Sequence, residues 1–271
     1  MPDFTHIEVE IRDKVAHAFL ARPEKANAMN HTLWFEIEKL ANWADETPGV
    51  RVLVLAGRGR HFTAGIDFSM VMSLFSKVAS LPEGTKQETM LHEIIALQRA
   101  FTALEKCRKP VIAAVHGSCY GGGIDLIAAC DFRYAAEGAR FCIKEIDLAI
   151  VADIGTLQRL PSIIGEGRTR ELAMTARVFG AEEAERIGLV NRVFADSQEM
   201  LEEVEKVAGT IAEKSPLTVR GIKQVMNHSR DHGVEEGLRH VATWNASMLL
   251  SADAQEAMQA MMQKRQPKYY D

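Results

Sequence analysis

Three acidic side chains lie among apolar neighbours in the middle of this sequence: Asp125, Glu145 and Asp153. Removing a carboxylate from water costs free energy, so a carboxyl group among apolar side chains can have its pKa raised into the range useful for proton transfer. These acids therefore indicate acid–base chemistry. Structural roles stay open, because Asp125 could be a first-turn helix acid, Glu145 could pair with a cation, and Asp153 could cap a following helix.

Two glycine-bearing turns, at residues 61–67 and 116–123, each follow an apolar run that is typical of a strand. Glycine lets the backbone approach a ligand closely, and an N–H group at a strand-to-helix turn can point outward without a backbone partner. The second turn also opens an apolar helix, whose dipole favours negative charge. Two converging N–H groups would stabilise an oxyanion, although each turn alone could be merely a tight connection.

A competing hydrolase interpretation rests on residues 117–121, where Gly-Ser-Cys-Tyr-Gly matches a nucleophile elbow with Cys119 in the serine position. The later histidines His228, His232 and His240 lie in a polar helical region that offers no strand-end loop to present them, and a buried cysteine is usually a small core residue. His228 and His232 are one helical turn apart, like two metal ligands, but the glutamate of zinc hydrolases is missing. We predict no metal site.

The composition is that of an ordinary globular protein, with 47% apolar residues, 25% charged residues and a net charge of -5. This balance offers no general attraction for a phosphate backbone, so we do not expect nucleic acid as a partner. The four cysteines form no C-x-x-C pair, which favours reduced thiols. No apolar run approaches the ~20 residues of a membrane-spanning helix, and no signal peptide, transit peptide or peroxisomal Ser-Lys-Leu is seen, so a cytoplasmic protein is expected.

Strand and helix patterns alternate along the chain and must position these residues. Alternating apolar residues at 7–11 and 15–20 predict a hairpin, and helix-spaced apolar residues after Asn30 predict a helix. Further predicted elements are strands at 50–56, 110–115 and 132–134, a helical stretch interrupted near 81–84, a helix at 124–130, and a helical tail from Arg168 that is broken by a strand at 189–194 and by Pro216. The fold class is α/β, with a core over 1–195 and a helical region over 196–271 that form one structural unit.

Seven segments spread over nearly the whole chain resemble the enoyl-CoA hydratase/isomerase (crotonase) superfamily, and the sequence is most similar to its Δ3,5-Δ2,4-dienoyl-CoA isomerases. They are RPEKANAMN (22–30), FTAGID (62–67), KPVIAAVHG (109–117), GGGIDL (121–126), KEID (144–147), ADIGTLQRLP (152–161) and ATWNASML (242–249). The resemblance implies a crotonase-like spiral of ββα units with a C-terminal helical trimerisation region, in a homotrimer or a hexamer of two trimers. It also implies an acyl-CoA substrate and no cofactor, since coenzyme A enters as part of the substrate.

The same resemblance assigns site residues by position. The two oxyanion donors are expected to be the backbone N–H groups of Ile66 and Gly122. The residues expected to contact the substrate and its coenzyme A moiety are Lys25, Ala26, Ala28, Ala64, Gly65 and Asp67.

The three acids separate the branches of this superfamily. Hydratases resemble this chain but carry Glu at the positions of Asp125 and Glu145 and no acid at that of Asp153, whereas dienoyl-CoA isomerases have the pattern seen here. The resemblance thus implies an isomerase of fatty acid β-oxidation or related acyl-CoA degradation, in which Glu145 removes a proton from C2 and Asp153 delivers one to C6. Asp125 would tune Glu145, because nearby negative charges raise a pKa. An enoyl-CoA hydratase, another enoyl-CoA isomerase and a catalytically silent CoA-binding protein remain alternatives.

Overall fold

The amino-terminal hairpin forms one edge of a six-stranded sheet in the computed structural model, which describes residues 2–270. The strands are β1 (Ile7–Arg12), β2 (Val15–Leu20), β3 (Val52–Gly57), β4 (Val111–Val115), β5 (Ser118–Tyr120), β6 (Phe132–Ala136), β7 (Arg140–Cys142), β8 (Phe179–Gly180) and β9 (Arg192–Phe194). The sheet order is β1-β2-β3-β4-β6-β9, and only β1 and β2 pair antiparallel. The parallel neighbours require crossover connections, which helices supply.

Helices fill the long connections and the carboxy-terminal part of the chain. They are α1 (His31–Glu46), α2 (Phe68–Ala79), α3 (Glu83–Lys106), α4 (Gly122–Ala128), α5 (Thr156–Ile164), α6 (Glu166–Thr175), α7 (Ala181–Arg186), α8 (Ser197–Ala212), α9 (Pro216–His232), α10 (Val234–Met248) and α11 (Ala252–Met262). Asn30 caps α1, because its Oδ1 accepts a hydrogen bond from the Leu33 N–H at 2.9 Å. The predicted α/β class and helical tail are confirmed.

A second, three-stranded sheet lies beside the site and was not predicted from the sequence. β5 pairs with β7 in parallel, and β7 pairs with β8 antiparallel. Thr63 adds an isolated parallel bridge to Cys119 of β5, so the loop after β3 joins this small sheet. The arrangement brings the two glycine-bearing turns together at the three-stranded sheet.

The aromatic packing of α1 on α3 holds the other wall of the site. The Trp34 and Phe101 rings stack with centroids 4.6 Å apart, and the Trp34 Nε1 donates to the Leu97 carbonyl at 3.0 Å. Both side chains are fully buried. Since aromatic residues bury large areas, this contact fixes α3 relative to α1 and to the sheet.

The carboxy-terminal region begins with two helices, α8 and α9. α8 buries Met200, Val204 and Ala208 against the six-stranded sheet and so shares the core. Pro216 begins α9 at a position where no N–H is needed, and the Ser215 side chain caps that helix. The division at residue 195 stays a prediction, as does the single structural unit. None of the helices that the structure describes is long and apolar enough to cross a membrane.

Candidate active site

The two glycine-bearing turns converge. The Thr63 N–H donates to the Ser118 carbonyl at 3.0 Å, and the Tyr120 N–H donates to the Thr63 carbonyl at 3.2 Å. Gly65 has a φ of +94°, and a Cβ atom added there would lie 2.6 Å from the Tyr120 oxygen and 3.4 Å from the Gly122 nitrogen. Only glycine fits this close approach without strain.

The N–H groups of Ile66 and Gly122 are free at this junction. Their neighbours Gly65 and Asp67 are both bonded to Met29, with an N–H to carbonyl distance of 2.7 Å in one case and 3.0 Å in the other. No acceptor within residues 2–270 pairs with the Ile66 N–H or with that of Gly122, the first residue of α4. Two unpaired donors near one point can bind a developing oxyanion, and the assignment to these residues stays a prediction.

Asp125 is buried and serves as a cap for a neighbouring helix. Its Oδ1 accepts a hydrogen bond from the N–H of Thr156, the first residue of α5, at 2.6 Å. Burial, followed by the negative charges of Glu145 and Asp153, raises the pKa of Asp125 to about 7. The three carboxyl groups are therefore in electrostatic range of one another. The sequence had left open Asp153 as the cap of this helix; the structure shows Asp125 in that role.

Glu145 begins a short 3-10 helix, Glu145–Leu148, shortly after β7 of the three-stranded sheet. Its Oε2 is buried and has no hydrogen-bond partner among the described residues. The neighbouring Lys144 pairs with Asp147, so the cation pairing that the sequence left open for Glu145 is not formed. Burial raises the pKa of the Glu145 carboxyl, and the charge of Asp153 raises it further. A buried carboxyl with one unpaired oxygen and a raised pKa is suited to accept a proton.

Asp153 lies in the connection that leads into α5, and it is half-buried. Burial raises its pKa. It lines a largely apolar cavity of about 460 Å³ that also includes Ile66, Trp34 and residues of α2 and α3. A second apolar cavity of about 420 Å³ is lined by Glu145, and Ile150 lines both. The two acids thus stand on adjoining apolar cavities.

The residues expected along the coenzyme A path lie on two loops that touch. The Ala64 N–H donates to the Ala26 carbonyl at 2.9 Å, which joins the loop before α1 to the loop after β3. Lys25 and Ala64 are exposed, Ala28 is half-buried, and Gly65 is buried at the turn.

Asp67 has structural partners in addition to any predicted contact with substrate. It caps α2 by accepting a hydrogen bond from the Ser69 N–H at 3.0 Å, and it pairs with Arg22 at 3.0 Å. Hydrogen bonds from Ser69, together with Arg22, lower the pKa of the Asp67 carboxyl. Arg22 also donates to the Ala28 carbonyl, a role that the sequence analysis missed. A contact between Asp67 and substrate stays a prediction.

The hydrolase alternative finds no support in the geometry. Cys119 is fully buried in β5, and burial raises the pKa of its thiol, which disfavours the reactive thiolate. The histidines stack on one another between α9 and α10, with His228 4.1 Å from His232 and 4.2 Å from His240 between ring centroids. Over residues 2–270 no group of three or more His, Cys, Asp or Glu side chains is placed to hold a metal ion. The absence of a metal from the protein stays a prediction.

Comparison with known proteins points to one family. The enoyl-CoA hydratase/isomerase family model matches residues 10–271. The chain is 48% identical to the peroxisomal Δ(3,5)-Δ(2,4)-dienoyl-CoA isomerase of Arabidopsis thaliana over 256 residues, which are 94% of this chain and 92% of that protein. It is 42% identical to the mitochondrial protein of that name from Homo sapiens, covering 98% of this chain and 83% of the other. A crotonyl-CoA hydratase from Syntrophomonas wolfei is 35% identical, with 98% of each chain covered.

Solved structures agree on the fold. The crystal structure of an enoyl-CoA hydratase from Bacillus anthracis superimposes with a TM-score of 0.88 at 32% identity, covering 98% of this chain and 99% of that one. An enoyl-CoA hydratase subunit from Geobacillus kaustophilus gives a TM-score of 0.86, also at 32% identity, with 98% of each chain covered. The expected crotonase-like architecture is confirmed.

Proposed function

Because the chain belongs to the enoyl-CoA hydratase/isomerase family, we propose that it is a Δ3,5-Δ2,4-dienoyl-CoA isomerase of β-oxidation. The observation that carries the proposal is a set of three carboxyls with raised pKa values, of which Glu145 and Asp153 line apolar cavities that share Ile150, together with two unpaired N–H groups. The proteins of that name cover nearly the whole chain at 42% and 48% identity. The reaction moves a proton from C2 to C6 of a 3,5-dienoyl thioester and yields the conjugated 2,4-diene.

The reaction needs a base that acts at one carbon of the substrate and an acid that acts at another. Glu145 takes the C2 proton, and the charge that remains spreads over a dienolate whose thioester oxygen accepts hydrogen bonds from the N–H groups of Ile66 and Gly122. Asp153, whose pKa is raised by burial, acts in its protonated form and gives its proton to C6. Donor and acceptor carbons are too far apart for one short side chain. Asp125 adds negative charge near Glu145 and fixes the start of α5.

Hydration is the second candidate, since the crotonyl-CoA hydratase of Syntrophomonas wolfei covers the chain at 35% identity. A hydratase adds water across a 2,3 double bond, whereas the isomerase creates a conjugated dienoyl thioester with its own ultraviolet absorption band. The deciding experiment mixes the protein in parallel with a 3,5-dienoyl-CoA and with crotonyl-CoA. Growth of the dienoyl band with slow crotonyl-CoA hydration supports the proposal. Efficient hydration without growth of the band overturns it.

The oligomer, the cofactor requirement and the location are part of the same proposal. Leu238 of α10, Met261 of α11 and Leu250 in the turn between these helices expose most of their surface, up to 86% for Leu250, which fits burial in a homotrimer or a hexamer of two trimers. Light scattering after gel filtration should give the mass of three or six chains. Activity should survive dialysis against a chelator, since neither a metal nor another cofactor is required.

For the location we propose the cytoplasm, where four free, buried cysteines would stay reduced. The relatives named above carry peroxisomal and mitochondrial designations. A fluorescent fusion followed in cells tests this. With a net charge of -5, nucleic acid should not bind.

A further inference from the structure

A cavity of about 330 Å³, lined mainly by polar and charged residues, shares Asp153 and Ile154 with the apolar cavity of α2 and α3. We call it the vestibule; its walls come from α3, from the segment 153–159 and from the end of α9. Among the three acids, only Asp153 lines both the vestibule and an apolar cavity. It therefore stands between the space for substrate and a polar space.

The backbone at Asp153 is fixed from the vestibule side. The Gln98 side chain of α3 donates through Nε2 to the Asp153 carbonyl at 2.6 Å. Arg159 of α5 donates through Nη1 to the Ile154 carbonyl at 3.4 Å. A Cβ atom at Gly155 would overlap the Arg159 guanidinium, so glycine is needed there for the arginine to reach this position.

The charges along the vestibule wall are balanced. Glu105 accepts from Arg159 at 2.8 Å and from Arg230 at 2.6 Å, and Arg230 also pairs with Asp231 at 2.8 Å. Gln158 lines the cavity as well, and none of the described residues forms a hydrogen bond to its side chain. A cavity that is this polar and this large suits water, because each water molecule needs only a few polar partners and about 30 Å³.

The proton balance of the isomerase demands a path of this kind. After one turnover Glu145 holds the proton from C2, and Asp153 has lost its own to C6. Before the next turnover Glu145 must release a proton and Asp153 must gain one. Either the proton passes between the acids inside the site, with Asp125 as a candidate carrier, or Asp153 takes a proton from solvent.

We propose that the vestibule holds a water chain that supplies the proton of Asp153, so that the hydrogen added at C6 comes from solvent rather than from C2. This inference rests on the proposed isomerase function. Gln98 and Arg159 act as positioning residues, since they hold the backbone of Asp153 and Ile154 between the two cavities.

The test is a reaction of unlabelled 3,5-dienoyl-CoA in D₂O. The ultraviolet band reports isomerisation, and NMR of the isolated product reports the isotope at C6. Nearly complete deuteration of C6 is expected. A growing band with ordinary hydrogen at C6 overturns the vestibule route and indicates internal transfer. Failure of the band to grow overturns the isomerase function itself.

A matched pair of variants tests the route. Gln158 is an exposed vestibule residue, and Gln224 is an exposed residue of α9 that lines a different polar cavity without Asp153. Gln158→Phe places a ring in the vestibule, and kcat should fall several-fold while KM is unchanged; Gln224→Phe should leave both unchanged. Equal kcat values in Gln158→Phe, Gln224→Phe and the parent protein would overturn the proposed route even if C6 is deuterated.

Discussion

The two acids of the proposed reaction sit in contrasting surroundings. Glu145 begins a short 3-10 helix, its buried Oε2 has no partner in the described chain, and it lines an apolar cavity. Gln98 bonds the carbonyl of Asp153, Arg159 bonds that of the adjacent Ile154, and Asp153 borders both a polar and an apolar cavity. The difference shows how one chain can separate a base that must meet substrate from an acid that must be recharged.

The largest expected effect comes from removing either carboxyl. Glu145→Gln and Asp153→Asn each keep the shape of the side chain but remove its proton transfer, so kcat should fall by about 10²–10⁴. Growth of the dienoyl band measures the loss, and thermal unfolding checks that each variant is folded. A folded variant with unchanged kcat would show that the substituted acid does not transfer a proton.

A slightly smaller loss is expected at the oxyanion site, on which both acids depend. Gly65→Ala brings a Cβ to 2.6 Å from the Tyr120 oxygen at a φ of +94°, which displaces the Ile66 N–H. The cost of one lost donor is about 10²–10³ in kcat. Gly138→Ala is the control, since Gly138 also has a positive φ of +82° but nothing lies within 4 Å. Equal kcat losses in the two variants would contradict a specific role for the turn.

The Asp125 carboxyl should affect how the free energy of unfolding depends on pH. Its pKa is raised to about 7, so between the unfolded pKa and pH 7 the folded protein binds more protons than the unfolded chain. This stabilisation is complete at low pH and is lost as pH rises through 7. From pH 5 to 8 the free energy of unfolding of the parent should fall by about 2–3 kcal/mol more than that of Asp125→Asn. This variant keeps an acceptor for the Thr156 N–H.

Urea unfolding at the two pH values measures this difference at constant protein concentration. Asp67→Asn is the control: the pKa of Asp67 is lowered, so its stabilisation is lost only below the ordinary aspartate pKa of about 4, and this variant should show the same loss between pH 5 and 8 as the parent. Parallel pH profiles for the parent and Asp125→Asn would show that Asp125 is not protonated in the folded protein near neutral pH.

The smallest effect on kcat should come from loosening the backbone next to Asp153 while Glu145 is left unchanged. Gly155→Ala forces the Arg159 guanidinium away and loosens the backbone at Ile154, so kcat should drop about tenfold with little change in KM. Gly167→Ala, in α6 with open space around it, should raise stability by about 0.5–1 kcal/mol and keep kcat. A drop in kcat for both variants would point to a general loss of folding instead.

The parts predicted from sequence are those with strong local patterns. Alternation predicted β1 and β2, and the run at 110–115 predicted β4. The strands β5, β7 and β8 have only two or three residues and form by pairing distant segments, so no local period identifies them. The predicted strand at 189–194 is shorter than expected, since β9 begins at Arg192.

The candidate site shows the same limit. The three acids and the two turns could be selected from the sequence, but the partner of Asp125 could not, because Thr156 is 31 residues away. Gln98 was missed because it belongs to no motif, and Arg159 was missed because the segment 152–161, which contains it, gave it no role. Gly155, one turn before Arg159, was the available signal, since glycine at the start of a helix can mark a close approach.

The most direct test of the two-acid assignment follows hydrogen exchange at C2 of the substrate in D₂O. Asp153→Asn should still let Glu145 remove and return the C2 proton, so deuterium should enter C2 although the 2,4-dienoyl product does not form. Glu145→Gln should show neither exchange nor product. Exchange that persists in Glu145→Gln, or that disappears in a folded Asp153→Asn, would contradict the assignment of Glu145 as base and Asp153 as acid.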